Sequence, residues 1–250
     1  MRYDVIYLSP HLDDVALSCG GQVYDLTADG RSVLIVTIAA GDPPATPLSD
    51  FAMGLHERWK LAAAATARRR AEDVAACQAL GADYLHWDLP DCIYRQHPQT
   101  GAHLYTSNGA LFGMVHEAET AVTYRLAAQM AALPAHGRIV APLTVGNHVD
   151  HQLVRRAAEQ CFGDRLLYYE EYPYVRLSGA LDCVIPPQSQ EWQAEVVSVS
   201  AAGMAARVAA IAAFESQVSS FFNGRSDLEA QIRQQIAKIG GERVWKRTLA

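Results

Sequence analysis

The chain lacks most of the features that would take it away from small-molecule chemistry. No stretch of its 250 residues reaches the roughly 18 to 20 uninterrupted apolar residues that a membrane span needs. No basic run is long. Arg68, Arg69 and Arg70 form the densest cluster, and a formal charge of −6 removes the counterion-release attraction that dominates nucleic-acid binding. Neither a nucleic-acid partner nor a membrane span is therefore expected. Cysteine is dispersed: Cys19, Cys77, Cys92, Cys161 and Cys183 are odd in number and never form a C-x-x-C pair. That spacing argues against a cysteine zinc knuckle and suits a reducing, cytoplasmic setting. The N-terminal residues run straight into an apolar stretch with no basic region and no cleavage site, so no secretory signal is expected. Repeats, low-complexity tracts and Gly/Ser/Pro-rich linkers are also missing, which predicts one domain over residues 1–250.

Half of the residues are hydrophobic, and short apolar runs alternate with longer stretches of helical period. The runs at 4–8, 33–38, 83–87, 138–142 and 166–169 read as strands. Helices are expected from Val15 to Ala28, from Leu55 to Leu80 with Gly81 as the stop, over 116–133, from Val149 to Phe162, and over 200–214. Ser226-Asp227-Leu228-Glu229 has the form of a capping box opening a last helix. The pattern predicts an α/β, Rossmann-like fold: a mostly parallel sheet with helices on both faces. The irregular segments 39–54 and 88–113 follow the second and third strands, where open α/β sheets present their ligands.

Nine histidines stand out in this composition, and three of them sit in unusual company. The first strand runs into Ser9-Pro10-His11-Leu12-Asp13-Asp14, one imidazole and two carboxylates on a strand-to-helix turn. Both aspartates could simply cap the helix. The fourth strand leads to Asn147-His148-Val149-Asp150-His151 at a second such turn; with Asn147 as N-cap, His148 and His151 point the same way. Here too capping plus surface histidine is the plain alternative. Taken together, the two turns lie at carboxyl ends of strands and can meet in one crevice. Two His and one Asp complete a zinc triad with an open fourth position. The carboxylate and imidazole left over supply a base and a donor. Residue types and spacing do not decide which aspartate binds the metal.

These motifs resemble those of the LmbE-like, or PIG-L, zinc-dependent N-acetylglucosaminyl deacetylases: Pro-His-Leu-Asp-Asp after the first strand, with Gly20-Gly21 in the following helix, and a late His-x-Asp-His. Arg69-Arg70-Ala71-Glu72 is similar to the family's Arg-x-x-Glu helix, and Ala213-Phe214-Glu215-Ser216-Gln217 to its C-terminal segment. The resemblance implies one zinc ion per chain on His11, Asp14 and His151, with Asp13 as general base. It implies His148 as oxyanion stabiliser or acid, tuned or oriented by Asp150. It also implies Asp42, Arg69 and Asp91 as substrate contacts. The chain departs from the fuller motif at Leu12 and Val15, where members carry Pro and Glu. It has Gly146 where some members have a mobile tyrosine, which leaves Tyr94, Tyr172 or Tyr174 as substitute donors.

The expected substrate is therefore a small N-acetylated amino sugar of the N-acetylglucosamine type or a conjugate of it, cleaved at the acetamide. Two alternatives stand beside this: an amidase of a thiol conjugate using the same site, and a non-catalytic nucleotide-binding module. The second lacks the G-x-G-x-x-G that should follow its first strand. An Ala-rich chain with several amphipathic helices also leaves a homo-oligomer open. His56, His86, His97, His103, His116 and His136 have no ligand partner at useful spacing and read as surface or half-buried residues.

Overall fold

A computed structural model describes residues 2–59 and 65–248. Seven strands form one sheet in the order β3-β2-β1-β4-β5-β7-β6. They are β1 (Arg2–Ser9), β2 (Val33–Thr37), β3 (Asp83–His86), β4 (Ala135–Pro142), β5 (Leu166–Tyr169), β6 (Trp192–Val197) and β7 (Glu242–Arg247). The first five are parallel; β7 joins β5 antiparallel and β6 joins β7 antiparallel. Strands β1 and β2 are buried almost throughout, β1 from Val5 onward and β2 over its whole length, because both of their faces are covered. On one face lie α1 (Asp14–Ala28), α3 (Ala65–Leu80), α7 (Ala201–Ala213) and α9 (Arg225–Ile239), over a core that includes Tyr7, Val23, Leu80 and Phe214. On the other lie α5 (Thr120–Ala131) and α6 (Val149–Phe162), over Ile6, Leu8, Met130, Ile139 and Leu153. Among the described residues no helix is long and apolar enough to cross a membrane.

The order of the parallel strands reverses between β1 and β4, and the crevice outside such a reversal is where a doubly wound sheet holds its ligand. Both histidine-bearing turns leave from these two strands. A roof over the crevice comes from α2 (Asp50–Arg58), α4 (Asn108–Leu111) and α8 (Glu215–Phe221), the first two seated on a small core of Leu55, Tyr94, Tyr105 and Leu111.

Helix α1 breaks at Cys19, whose φ of −142° is not helical. The polar groups freed by the break find buried partners. Arg207 donates to the Leu17 carbonyl, while Glu242 accepts from the backbone N–H of Gly21 at 3.0 Å and of Gln22 at 2.8 Å. A Cβ on Gly21 would lie 2.6 Å from Val199 and 2.7 Å from Glu242, so this glycine is required by close approach.

Several expectations need correction. The helix expected from Leu55 to Leu80 is two helices, α2 and α3, and the part of that expectation at 60–64 lies outside the described residues. β6 and β7 are strands that the sequence does not predict: β6 is mostly exposed and β7 is rich in charge, and together they extend the sheet beyond β5 as an antiparallel pair rather than as doubly covered strands. Ser226 does not open α9: Gly224 is the N-cap, and Asp227 accepts from the Asn223 N–H at 2.8 Å.

Candidate active site

The turn after β1 places two adjacent carboxylates in different surroundings. Asp13 is the N-cap residue of α1, yet its side chain makes no cap bond and its φ is +123°. A non-glycine residue held there stores roughly 1–3 kcal/mol of strain, a cost that concentrates at functional sites. The capping explanation of Asp13 is thereby removed. Its carboxylate is buried, with Arg69 Nη2 3.7 Å away. Burial pushes the Asp13 carboxyl up to about 7 against the pull of Arg69, with the Asp14 charge adding to the rise.

Asp14 faces the histidines. Its Oδ2 accepts from the His11 backbone N–H at 2.8 Å and lies 3.3 Å from both His11 Nδ1 and His151 Nε2. Burial opposes ionisation of Asp14, but His151 and His11 outweigh it and hold the carboxyl well below the usual range. Each of the two histidines turns its other ring nitrogen to a second buried carboxylate. His11 Nε2 is 2.9 Å from Asp150 Oδ2, and His151 Nδ1 is 3.1 Å from Glu171 Oε1. Burial would lower both imidazoles. The carboxylates win, raising His11 well above its ordinary value and His151 to about 9.

The second turn departs from its sequence reading in one respect. His148, not Asn147, is the N-cap of α6, and its Nδ1 accepts from the Asp150 backbone N–H at 3.2 Å. With Nδ1 an acceptor, neutral His148 carries its proton on Nε2. Burial and then the charge of His11 hold its pKa well below the ordinary value, so it is a neutral donor. Asp150 was expected to tune or orient His148. Its backbone does hold that ring, but its carboxylate serves His11, accepts from Cys92 N–H at 3.1 Å and pairs with Arg95. Arg95 continues to Glu119, which also accepts from the Tyr105 hydroxyl at 2.6 Å.

His11, Asp13, Asp14 and His148 form the floor of a cavity of about 730 Å³ that also takes in Arg69 and Asp91; the buried His151, Asp150 and Glu171 are not among its lining residues. Arg69 donates to the Leu12 carbonyl at 3.1 Å and so braces the first turn; Asp91 lies 4.0 Å from His11 Nε2. Asp42 is not brought to the cavity. Its exposed carboxylate pairs with Arg70 at 2.9 Å on the surface, which removes the ground for a substrate contact.

Of the three candidate tyrosines, two are committed elsewhere: the Tyr94 hydroxyl lies 2.6 Å from His56 Nε2, and Tyr172 bonds Gln231 at 2.9 Å. Tyr174 lines the cavity, and its ring lies against the bare α-carbon of Gly146, where a Cβ would come within 2.4 Å. Residue 146 thus has no side chain because Tyr174 occupies its space. Glu171 lies in the segment 170–174, which follows a strand end and by sequence fits a site wall as well as a plain loop. Arg95 and Glu119 carry no local signal as site supports, because their partners are distant in the chain.

The donor set suits a divalent zinc ion. Two imidazole nitrogens and one carboxylate oxygen converge, and each imidazole is oriented by an outer carboxylate, as zinc histidines are. The ring nitrogens of His11, His148 and His151 also lie within 4.8 Å of one another. His11 and His151 are common to both groupings.

The sequence matches the PIG-L family, described as GlcNAc-PI de-N-acetylase, over residues 6–162. It is 28% identical over 194 residues to the 2'-N-acetylparomamine deacetylase of Niallia circulans, covering 68% of this chain and 66% of that protein. It is 30% identical over 188 residues to the enzyme of the same name from Streptomyces fradiae, covering 72% of this chain and 61% of that one. The matches thus span less than two thirds of either relative's length. The fold is similar to the crystal structure of the zinc inhibited form of teicoplanin deacetylase Orf2, with a TM-score of 0.81, 26% identity and 99% of each chain covered.

Proposed function

We propose, from the premise that the chain belongs to the PIG-L family, that it hydrolyses the acetamide of an N-acetylated amino sugar of the N-acetylglucosamine type, free or conjugated. The observation that carries this reading is the placing of Asp14 Oδ2 at 3.3 Å from both His11 Nδ1 and His151 Nε2, beside an Asp13 that has no cap to serve. His11, Asp14 and His151 would hold zinc. His148 is left out of that set because its Nδ1 already caps α6 and its Nε2 carries a proton.

Bound there, zinc supplies Lewis acidity, polarising the acetamide carbonyl and acidifying a water. Asp13 accepts the proton of the attacking water at its carboxylate; its raised pKa, near 7, suits it to hold that proton and pass it to the departing amine. His148 donates its Nε2 proton in a hydrogen bond to the developing oxyanion, a role for which a neutral, buried imidazole is suited. Tyr174 stands on the same wall as a second donor. Arg69 holds the Leu12 carbonyl and keeps Asp13 aimed. Asp91, on the floor 4.0 Å from His11 Nε2, would take a sugar hydroxyl. Asp150 and Glu171 position the two zinc histidines. We read the chain as one catalytic unit, and its five free cysteines suit a reducing, cytoplasmic setting.

The test is metal analysis of the purified protein coupled to an assay for new amines across N-acetylated amino sugars. One zinc per chain, and amine release that a chelator abolishes and zinc restores, is the expected result. Amine release indifferent to chelation would overturn the mechanism.

A further inference from the structure

The floor and the wall of the cavity differ in chemistry. Asp13, Asp14 and Asp91 are the carboxylates among the described lining residues, and all three belong to the floor. The wall carries Trp59, Leu111, Phe112, Tyr174 and Phe221, gathered from four separate segments of the chain. Phe112 and Phe221 remain 41% and 36% exposed, large apolar rings facing solvent across the mouth. Phe112 also lies edge-to-face on Tyr174 at 6.0 Å, so apolar rings that line one cavity are left open to a ligand. Neutral groups punctuate it: Asn108, Ser219 and Ser220. Two cations meet this wall: Arg58, which is exposed, and Arg69, whose guanidinium lies 5.4 Å over the Trp59 ring.

One sugar ring can stack its C–H face on such a wall but covers only part of side chains drawn from four segments, and the wall is poorly suited to a polyamine, which would lose water without meeting a carboxylate. From this division we propose that the wall binds an aromatic, non-cationic aglycone, so that the substrate is an aryl glycoside of the N-acetylated amino sugar. The proposal rests on the deacetylase reading and adds to it the class of aglycone. The sugar's acetamide reaches the floor, while its aromatic substituent lies between Trp59, Phe112 and Phe221. Arg58 favours a neutral or anionic substituent over a protonated one.

Calorimetric titration of the zinc-loaded D13N protein measures binding without turnover. The probes are the phenyl β-glycoside of N-acetylglucosamine, free N-acetylglucosamine and 2'-N-acetylparomamine, whose aglycone is a cationic aminocyclitol. The phenyl glycoside should bind about tenfold more tightly than the free sugar, the scale set by stacking one aromatic ring. The paromamine derivative should bind most weakly. In the same background F221A, at an exposed position, should cut the phenyl advantage to about threefold or less, and R58E should improve paromamine binding severalfold. Free sugar within twofold of the phenyl glycoside, paromamine binding tightest, no binding of any probe, or an unchanged advantage in F221A would each overturn the proposal. Amine release by the wild-type protein separates the two readings. Equal turnover of all three probes keeps the deacetylase and removes the aryl preference; phenyl-selective binding with no amine release from any probe removes the deacetylase and keeps the aryl site.

Discussion

The turn after β1 and the turn after β4 occupy equivalent places in the fold and solve the same local problem in opposite ways. Each must end a strand, start a helix and present side chains to one crevice. In the first, the N-cap residue Asp13 makes no cap bond, adopts a φ of +123° and leaves its carboxylate free. Support comes from outside, through Arg69 on the Leu12 carbonyl. In the second, the N-cap residue His148 has ordinary extended torsions and caps its helix with one ring nitrogen while presenting the other. Its backbone is also held: Glu171 accepts from the N–H groups of Thr144 and Val145, the latter at 3.1 Å, across a stretch where Thr144 and Asn147 have positive φ. A functional residue that also caps is doubly committed. One that has given up its cap is committed to chemistry alone.

The largest effect follows from Asp13. D13N should retain zinc and lose about 10²–10⁴-fold in kcat, the usual worth of a general base. It should not lose stability. Asp13's folded pKa, near 7, lies above its ordinary 3.8, so the folded state binds the proton more tightly than the unfolded state does. Wild-type stability then falls as pH rises from 3.8 through 7, as the buried group ionises. The asparagine carries no such penalty. Thermal unfolding of chelated samples should place D13N above wild type at pH 8, with the gap closing below pH 4. An active D13N enzyme would refute the assignment of the base. H148A tests the other turn. It should lose about 10²–10³-fold in kcat, the scale of one oxyanion donor, and about 1 kcal/mol of stability with its cap. A stability loss in D13N with none in H148A would reverse the contrast.

How much of this was legible in the sequence follows the range over which each feature is determined. Strand β5 and helix α6 were read to the residue, because a continuous apolar run or a 3.6-residue period is local. Both histidine turns were legible for the same reason. Their chemistry sits within four or five consecutive residues after a strand, and the parallel order of β1 and β4 brings them together. The outer carboxylates were not. Glu171 meets His151 only because the chain beyond β5 runs beside the turn beyond β4, with Leu143 N–H donating to the Tyr169 carbonyl at 2.9 Å. Arg95 matters because the 92–119 loop folds under Asp150. Asp42 shows the reverse error: adjacency to a strand end suggested the crevice, and a surface pair with Arg70 turned the side chain away. The aromatic wall was the least legible part, since its five rings and side chains come from segments that no local period connects.

The smallest effect comes from those outer carboxylates, and it sharpens the contrast between the turns. Asp150 orients His11 of the first turn, and Glu171 orients His151 beside the second. Neither touches the substrate. E171Q and D150N should each weaken zinc binding by about 10–100-fold, the usual cost of losing an outer partner, and saturating zinc should restore most of kcat. Rescue by zinc is what a positioning role predicts, whereas a catalytic carboxylate would not be rescued. Both variants should lose stability without metal. Glu171 accepts two backbone N–H groups of a turn with two positive-φ residues, and an amide presents only one acceptor oxygen. E171Q therefore leaves a buried N–H facing an NH₂ group, at a cost of about 1–3 kcal/mol. D150N meets the same limit: with its oxygen toward Arg95, the NH₂ faces the Cys92 N–H, although Arg95 keeps Glu119. Unfolding of the chelated proteins should accordingly show both variants below wild type by similar amounts. Unchanged stability in E171Q would mean that the turn after β4 does not depend on Glu171 for its backbone, and that the two turns are less different than their hydrogen bonds make them.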